Sequence, residues 1–476
     1  MPSGGIEPPL VLRMPRSVPR LLLCLLALAI AGLCAGASAA TASAASASRV
    51  VVRFAPGTTA AERARAAEAA GATTPRHIVG TTWALRPLAN ADATIAQLTR
   101  RTRVVSATPE LRARAAAFAP NDDGLAALGG PPGGWAAQQW DLVGPFGINV
   151  AGAWDAAVQR GAPGGRGVRV AVVDTGVAYA NRGRLRRSPD LAPARLLRGH
   201  DFVSNDNFAN DENGHGTFVA STIAASANNA YGMVGVAYAA SILPVRVLDS
   251  FGEAGSARIA EGIQYAVNRG AKVINASIEL TSPTAFPQRA LSITAAPEIR
   301  EAIAYAHSQG VVVVVASGNL GQGDVPSRRL DSNIIYVGGT TEHGCLGDYS
   351  NFGPGLDIVA PGGGDDAILS GDASCRPDLP PGRNVAQVTF RRSAPGRFLV
   401  PGDFHGTSMS APHVTGVIAL MIGARILGAD PSPERVQARL EATARDLGTP
   451  GRDQYYGSGL LDATAALTAP VTASSG

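Results

Sequence analysis

The chain has 476 residues, more than one typical domain and ample length for a large buried core. Hydrophobic residues make up 46% and charged residues 16%, which fits a compact globular protein, and the 56 Gly and 33 Pro follow no collagen-like or repeat period. The net charge of +4 is mild and the basic residues are almost all Arg and scattered, so nothing points to a nucleic-acid groove.

Arg13, Arg16 and Arg20 precede an apolar run, Leu21 to Leu33, and Ala37-Ser38-Ala39 then supplies a small-residue cleavage pattern. Residues 1–40 therefore read as a secretory signal peptide, with Met14 as an alternative start nearer the charged residues. The run is short for a bilayer span, which makes a membrane anchor the weaker reading. Neither Cys24 nor Cys34 follows the Leu-small-small pattern of a lipoprotein signal. Export leaves Cys345 and Cys375 in the mature chain, enough for one disulfide closing a loop of about thirty residues or for two unlinked thiols.

Arg49 to Phe54 alternates and is β-branched, which predicts a strand. Thr59 to Ala70 predicts a helix ended by Gly71, Thr81 to Leu85 a second strand, Ala91 to Arg101 a second helix, and Val104 to Glu110 an extended exit. An Ala-Arg stretch, Leu111 to Ala117, leads into Ala119 to Pro132, rich in Gly, Pro and Asp, and residues 115–134 read as a linker. From Val168 onward strands and helices alternate. Val168–Val173, Ile242–Leu248, Val273–Ser277, Val311–Ala316 and Ile334–Val337 predict buried parallel strands. His215–Ala225, Ala254–Asn268, Pro297–Gln309, Ser408–Ile426 and Pro433–Asp446 predict helices. This alternation predicts an α/β fold, a parallel sheet covered by helices on both faces, followed by a small polar tail at 468–476.

Three segments carry chemistry. Val170-Ala171-Val172-Val173-Asp174-Thr175-Gly176 ends an apolar strand on an acid, Asn213-Gly214-His215-Gly216-Thr217 puts an imidazole at a helix start, and Gly406-Thr407-Ser408-Met409-Ser410-Ala411-Pro412-His413 opens a helix on a hydroxyl. Together they make an activated nucleophile. Asp174 would orient and charge-stabilise the ring, His215 would take and return the proton, and Ser408 would attack. The Ser408 N–H and the helix dipole would help hold an oxyanion, and Asn319, in Ala316-Ser317-Gly318-Asn319, would add a side-chain amide donor. Taken singly, each residue also reads plainly as a turn Asp, a surface His, an N-cap Ser or a turn Asn. The order Asp, His, Ser with small flanking residues resembles the subtilisin-like serine peptidases, the subtilases.

The resemblance spans most of Trp135 to Leu467, where Gln138-Gln139-Trp140 and Ala153-Trp154 lead in as in many subtilases. Ser221 is a mild departure, since a small residue such as Gly usually follows the pair matching Val219-Ala220. It implies a subtilisin-like catalytic domain over 135–467, preceded by a small α+β inhibitor-type propeptide over 49–114, with autocleavage near Arg112 to Pro120. For 49–114 the alternative is an independent binding domain. The activity implied is that of a secreted, extracellular serine endopeptidase that works through an acyl-enzyme and is made as a self-processing zymogen. A catalytically silent secreted binding protein and an esterase-like hydrolase are the rival readings.

No cofactor is expected for the chemistry. The expected partners are a peptide or protein substrate and the chain's own propeptide, with no nucleic acid, no stable membrane anchor and a monomeric state. Many subtilases bind calcium, so a structural calcium ion is compatible with the resemblance. Asp201, Asp206 and Asp211 form no loop of alternating oxygen ligands, and no ligands are assigned.

The segment Asn275-Ala276-Ser277-Ile278-Glu279 resembles the substrate-lining strand of the family, with Glu279 where Gly is usual. Gly323-Asp324-Val325-Pro326 resembles the floor of the primary specificity pocket. Unless they face solvent, Glu279 and Asp324 would favour Arg or Lys at the cleaved position by charge complementarity. The insert Thr281 to Pro297 and the long stretch Gly362 to Gly402 vary within the family, and their effect on substrates is not legible.

Overall fold

Alternation along each short strand decides where it can sit. Val170 and Val172 join one buried cluster and Ala171 and Val173 another, so the strand Arg169–Asp174 is packed on both faces. Val312–Ala316 repeats the pattern, with Val312 and Val314 on the first side and Val313 and Val315 on the second. The computed structural model describes residues 49–110, 118–128, 133–281, 290–323, 325–326, 333–369, 375 and 379–470. The chain divides into two compact units, Met1–Ala115 and Ala116–Gly476.

The first unit runs strand-helix-strand-strand-helix-strand. Its antiparallel sheet has the order Arg76–Val79, Thr82–Leu85, Val50–Phe54, Val104–Pro109. Val50, Val52, Phe54 and Leu85 pack against Ala67 and Leu98 of its two helices, Ala60–Ala69 and Ala91–Thr99. Thr59 and Glu62 form a capping box at the first helix, and Asn90 caps the second. Val104–Pro109, expected as an extended exit, is a paired strand. Arg76–Val79 was not foreseen, because it is an edge strand with all four residues exposed and no buried face to leave a pattern.

In the second unit seven strands form one sheet in the order Ile358–Pro361, Ile335–Thr340, Val312–Ala316, Val273–Ala276, Arg169–Asp174, Ser241–Arg246, His200–Asp201. Every pairing is parallel. One face is covered by Ala151–Gln159, His215–Ala224, Thr407–Gly423, Pro433–Thr443 and Ala463–Thr468, the other by Ser256–Asn268 and Pro297–Ser308. Thr407–Gly423 is buried continuously from Met409 to Met421, as a helix apolar on all sides must be. The chain builds the sheet on one side of Arg169–Asp174 first and then crosses to the other. This puts Asp174 at the switch in strand order, where α/β sheets open a crevice beyond their strand ends.

The two outer strands escaped the sequence reading. His200–Asp201 has only two residues and no apolar one, and Ile358–Pro361 ends in Pro. Of the expected linker, residues 118–128 are anchored within the second unit. Phe118 stacks on Tyr238 with ring centres 4.9 Å apart, and the buried Asp122 carboxylate accepts the N–H groups of Asn228 and Asn229 at 2.8 and 3.1 Å. Cys345 and Cys375 are joined as a disulfide. The expected signal peptide, the stretch 111–117 with Arg112, and Asp324 lie outside the described residues. Among the described residues no helix is long and apolar enough to cross a membrane.

Candidate active site

Asp174 ends its strand fully buried. Its Oδ1 accepts the Thr175 N–H at 2.7 Å and lies 2.8 Å from Nδ1 of His215. The His215 side chain keeps 24% of its surface exposed, so the opposite ring nitrogen has access to the cleft. Burial by itself would lower the imidazole pKa, but the Asp174 charge and hydrogen bond outweigh it and hold the ring above its ordinary value. Two glycines make this approach feasible. A side chain on Gly216 would collide with the Gly176 carbonyl, and Gly214 has φ 110° beneath the Phe390 carbonyl.

Asp211, buried six residues before Thr217, ties these pieces together. Its Oδ1 accepts Thr175 Oγ1 at 2.9 Å and the N–H groups of Asn213 and Gly214 at 2.8 and 3.0 Å, and its Oδ2 accepts the N–H and hydroxyl of Thr217 at 2.9 and 2.6 Å. One carboxylate thus links the residue after Asp174 to the first turn of the His215 helix. Sequence reasoning met Asp211 only as one acid in a row, because its partners are brought to it by the sheet.

Ser408 is the second residue of the central helix. Pro412 lies four residues on and has no N–H to give to the Ser408 carbonyl. Ser277 replaces the missing donor, its Oγ reaching the Ser408 carbonyl at 2.9 Å, while Ser408 Oγ makes a long contact of 3.4 Å with the Ser277 carbonyl. Behind Ser277, Asn275 Nδ2 donates to the Ser277 hydroxyl at 2.9 Å and Thr415 Oγ1 donates to Asn275 Oδ1 at 2.8 Å. Among the described residues no hydrogen bond joins Ser408 Oγ to His215, a contact that in such sites commonly tightens only on substrate binding.

Asn319 follows the strand Val312–Ala316. Its Oδ1 accepts the N–H and the hydroxyl of Thr407 at 2.8 and 3.0 Å, which ties the carbonyl side of the amide to the residue before Ser408 and leaves Nδ2 without a hydrogen-bond partner among the described residues. Glu279 accepts the Asn319 N–H on Oε2 at 3.2 Å, and its Oε1 is buried without a partner among the described residues. Burial raises the Glu279 pKa. A cleft of about 640 Å³ is lined by His215, Asn213, Phe251, Ser277, Glu279 and Leu280 among others, and a second recess beside Ala316, Ser317 and Val325 shares Glu279. The structure therefore gathers Asp174, His215, Ser408, Asn319, Ser277 and Glu279 around the carboxyl ends of adjacent strands.

The three acids before His215 are used internally. Asp201 takes Arg246 and two backbone N–H groups, Asp206 takes the Phe208 N–H and Arg182, and Asp211 is fully occupied as described. Among the described residues no group of three or more His, Cys, Asp or Glu stands ready for a metal. Asp190 and Asp122 are a different case. Burial pushes Asp190 up to about 8 and raises Asp122, Asn229 bridges them by donating its N–H to Asp122 and its Nδ2 to Asp190, and neither pairs with Arg or Lys among the described residues. Two buried oxygen-donor acids without a cationic partner have the chemistry of a hard-cation site.

The subtilase family profile matches residues 165–459. The chain is 36% identical over 324 residues to Subtilisin Savinase of Lederbergia lenta, covering 68% of this chain and 98% of that protein. It is 32% identical over 320 residues to Thermitase of Thermoactinomyces vulgaris, covering 67% of this chain and 93% of that one. Among solved structures, one titled as proteases from Pseudoalteromonas arctica PAMC 21717 superposes with a TM-score of 0.56 at 30% identity, over 73% of this chain and 98% of that one. With its helix-covered parallel sheet and this extent of similarity, the chain belongs to the subtilase family of serine endopeptidases.

Proposed function

We propose that this subtilase is a secreted, self-processing endopeptidase in which Ser408 is the nucleophile, His215 the general base and Asp174 its charge partner. The observation that carries the reading is the 2.8 Å contact between His215 Nδ1 and the buried Asp174, beside the helix that Ser408 opens. As Ser408 Oγ bonds to the peptide carbonyl carbon, its proton passes to His215 Nε2, and Asp174 stabilises the imidazolium. The Ser408 N–H and Asn319 Nδ2 receive the oxyanion, Thr407 holding the Asn319 amide in that sense. His215 then gives its proton to the leaving amine. Water attacks the acyl ester with His215 again as base, and the carboxylic acid leaves.

In this proposal residues 1–40 direct export, 49–114 act as folding aid and inhibitor, and cleavage between Arg112 and Pro120 releases the enzyme. The disulfide fits an oxidising destination. A structural calcium ion would be held at Asp190 with Asp122 and Asn229 beside it, where it would neutralise two buried acids. Arg or Lys at the cleaved position would supply the hydrogen-bond donors that Glu279 Oε1 lacks among the described residues. Arg and Phe peptide pairs test that preference: equal rates, or faster cleavage after Phe, refute it.

The primary test is the intact mass of the secreted product for wild type and Ser408→Ala. The expected result is loss of roughly the first 110 to 120 residues from wild type alone. Identical trimming of both, or of neither, would remove the support for self-processing.

A further inference from the structure

Two loops remote in sequence carry a cluster of arginines that linear spacing conceals. Arg182, Arg184, Arg186 and Arg187 lie on the loop that follows the Asp174 strand, and Arg391, Arg392 and Arg397 lie on the turn joining Thr389–Phe390 to Phe398–Leu399. All seven are exposed. The loops meet, because a Cβ on Gly396 would stand 2.9 Å from both the Arg184 carbonyl oxygen and Arg186 Cγ. The hairpin is fixed to the residue before His215, with Thr389 Oγ1 donating to the Gly214 carbonyl at 2.5 Å.

The cluster also reaches the cleft. The Arg392 guanidinium carbon lies 4.3 Å from the centre of the Phe251 ring, and Phe251, 70% exposed, lines the cleft together with His215. Charge balance within the cluster is poor. Arg182 pairs with Asp206 at 3.5 Å and Arg391 with Asp403 at 2.8 Å, whereas Arg184, Arg186, Arg187, Arg392 and Arg397 have no carboxylate within 4.0 Å among the described residues. Arg186 Nη1 donates to the Gly183 and Leu185 carbonyls, which fixes one guanidinium without neutralising it.

We propose that this surface is an exosite for an acidic stretch of a polypeptide substrate, a run of Asp or Glu beyond the residues that occupy the cleft. The proposal rests on the endopeptidase reading. A polypeptide is the occupant because the cationic surface is continuous with a peptide cleft, so one extended chain can engage both. Guanidinium groups match carboxylates in two-point geometry, and a single-sign field at a cleft rim speeds encounter in a salt-dependent way. Two acids flank Phe251 in the sequence: Glu253 lines the cleft, and Asp249 Oδ1 is occupied by the N–H groups of Phe251 and Glu253.

The test uses the self-processed secreted protein and the charge-reversed variant R184E/R187E/R397E, whose positions are all exposed and outside both the catalytic machinery and the cleft lining. Peptides share one cleavage segment and carry a four-residue acidic, neutral or lysine block at either end. Wild type is expected to cleave an acid-flanked peptide with kcat/KM about tenfold above the neutral one, the combined effect of roughly three exposed pairs, mainly through KM. High salt should erase the difference. The variant should lose the advantage while cleaving the neutral peptide at the wild-type rate.

No acidic advantage in wild type, or an advantage that survives the reversal, overturns the exosite. Binding of heparin or DNA through these arginines with no effect of the acidic block overturns it too, in favour of a polyanion dock. If wild type fails to cleave even the neutral peptide, the endopeptidase reading fails separately. Binding of the acid-flanked peptide followed by fluorescence anisotropy then still decides the exosite, because it needs no turnover.

Discussion

Asp211→Asn should uncouple the end of the Asp174 strand from the first turn of the His215 helix while changing only an oxygen to an NH2 group. The new amide can turn its Nδ2 toward Thr217 or toward Asn213 and Gly214. The first choice orphans one backbone N–H, that of Thr217, because the Thr217 hydroxyl can rotate to accept; the second orphans two. One unpaired buried N–H costs about 1–3 kcal/mol. The three bonds kept by Oδ1, to Thr175, Asn213 and Gly214, weaken from charge-assisted to neutral, roughly another 0.5–1 kcal/mol each. The neutral amide also escapes the burial that raises the Asp211 pKa, which offsets part of this loss, so the expected destabilisation is about 2–4 kcal/mol. It should be read from denaturant unfolding of the purified mature protein in a Ser408→Ala background, where autolysis is absent.

The same substitution made in the active enzyme should lower kcat about tenfold with KM nearly unchanged, since Thr175 and Thr217 flank the Asp174–His215 contact. A loss of stability below about 0.5 kcal/mol would refute the reasoning, because it would mean that these five donors find other acceptors.

Three further outcomes are expected. The acid limb of the kcat/KM profile should lie at higher pH than an ordinary imidazole near 6.5, because His215 must be neutral to act and its pKa is raised; in Asp174→Asn the residual activity should show that limb moved to lower pH. Thr407→Val should cost about tenfold in kcat with little change in KM, as it removes the hydroxyl that donates to Asn319 Oδ1 and accepts the Gly318 N–H; an unchanged kcat would exclude Thr407 as a positioning residue. With chelator present, stability should fall as pH rises from about 4 toward 8. Asp190 titrates at about 8 when folded and near 3.8 when unfolded, so between those values the native state holds a proton that the unfolded state lacks. Added calcium should flatten that slope, and a melting temperature that ignores both pH and calcium over this range would remove Asp190 as a cation ligand.

Strands buried on both faces must be written in Val, Ile and Ala, so Arg169–Asp174 and Val312–Ala316 announce themselves in sequence, and with the helices between them so does the parallel sheet. The candidate site residues are legible for a related reason. An acid at a strand end, an imidazole between two glycines and a hydroxyl opening an apolar helix are local patterns, each needing only its immediate neighbours. What the sequence does not disclose is who stands opposite whom. Ser277 completing the carbonyl freed by Pro412, Thr407 turning the Asn319 amide, Asp211 clasping Thr175 and Thr217, and two arginine loops meeting at Gly396 all join residues from different crossovers. Their proximity is set by the order of strands in the sheet and by the burial that holds it. A hydrogen bond acts over about 3 Å, so only the tertiary fold decides which distant donor comes within its reach.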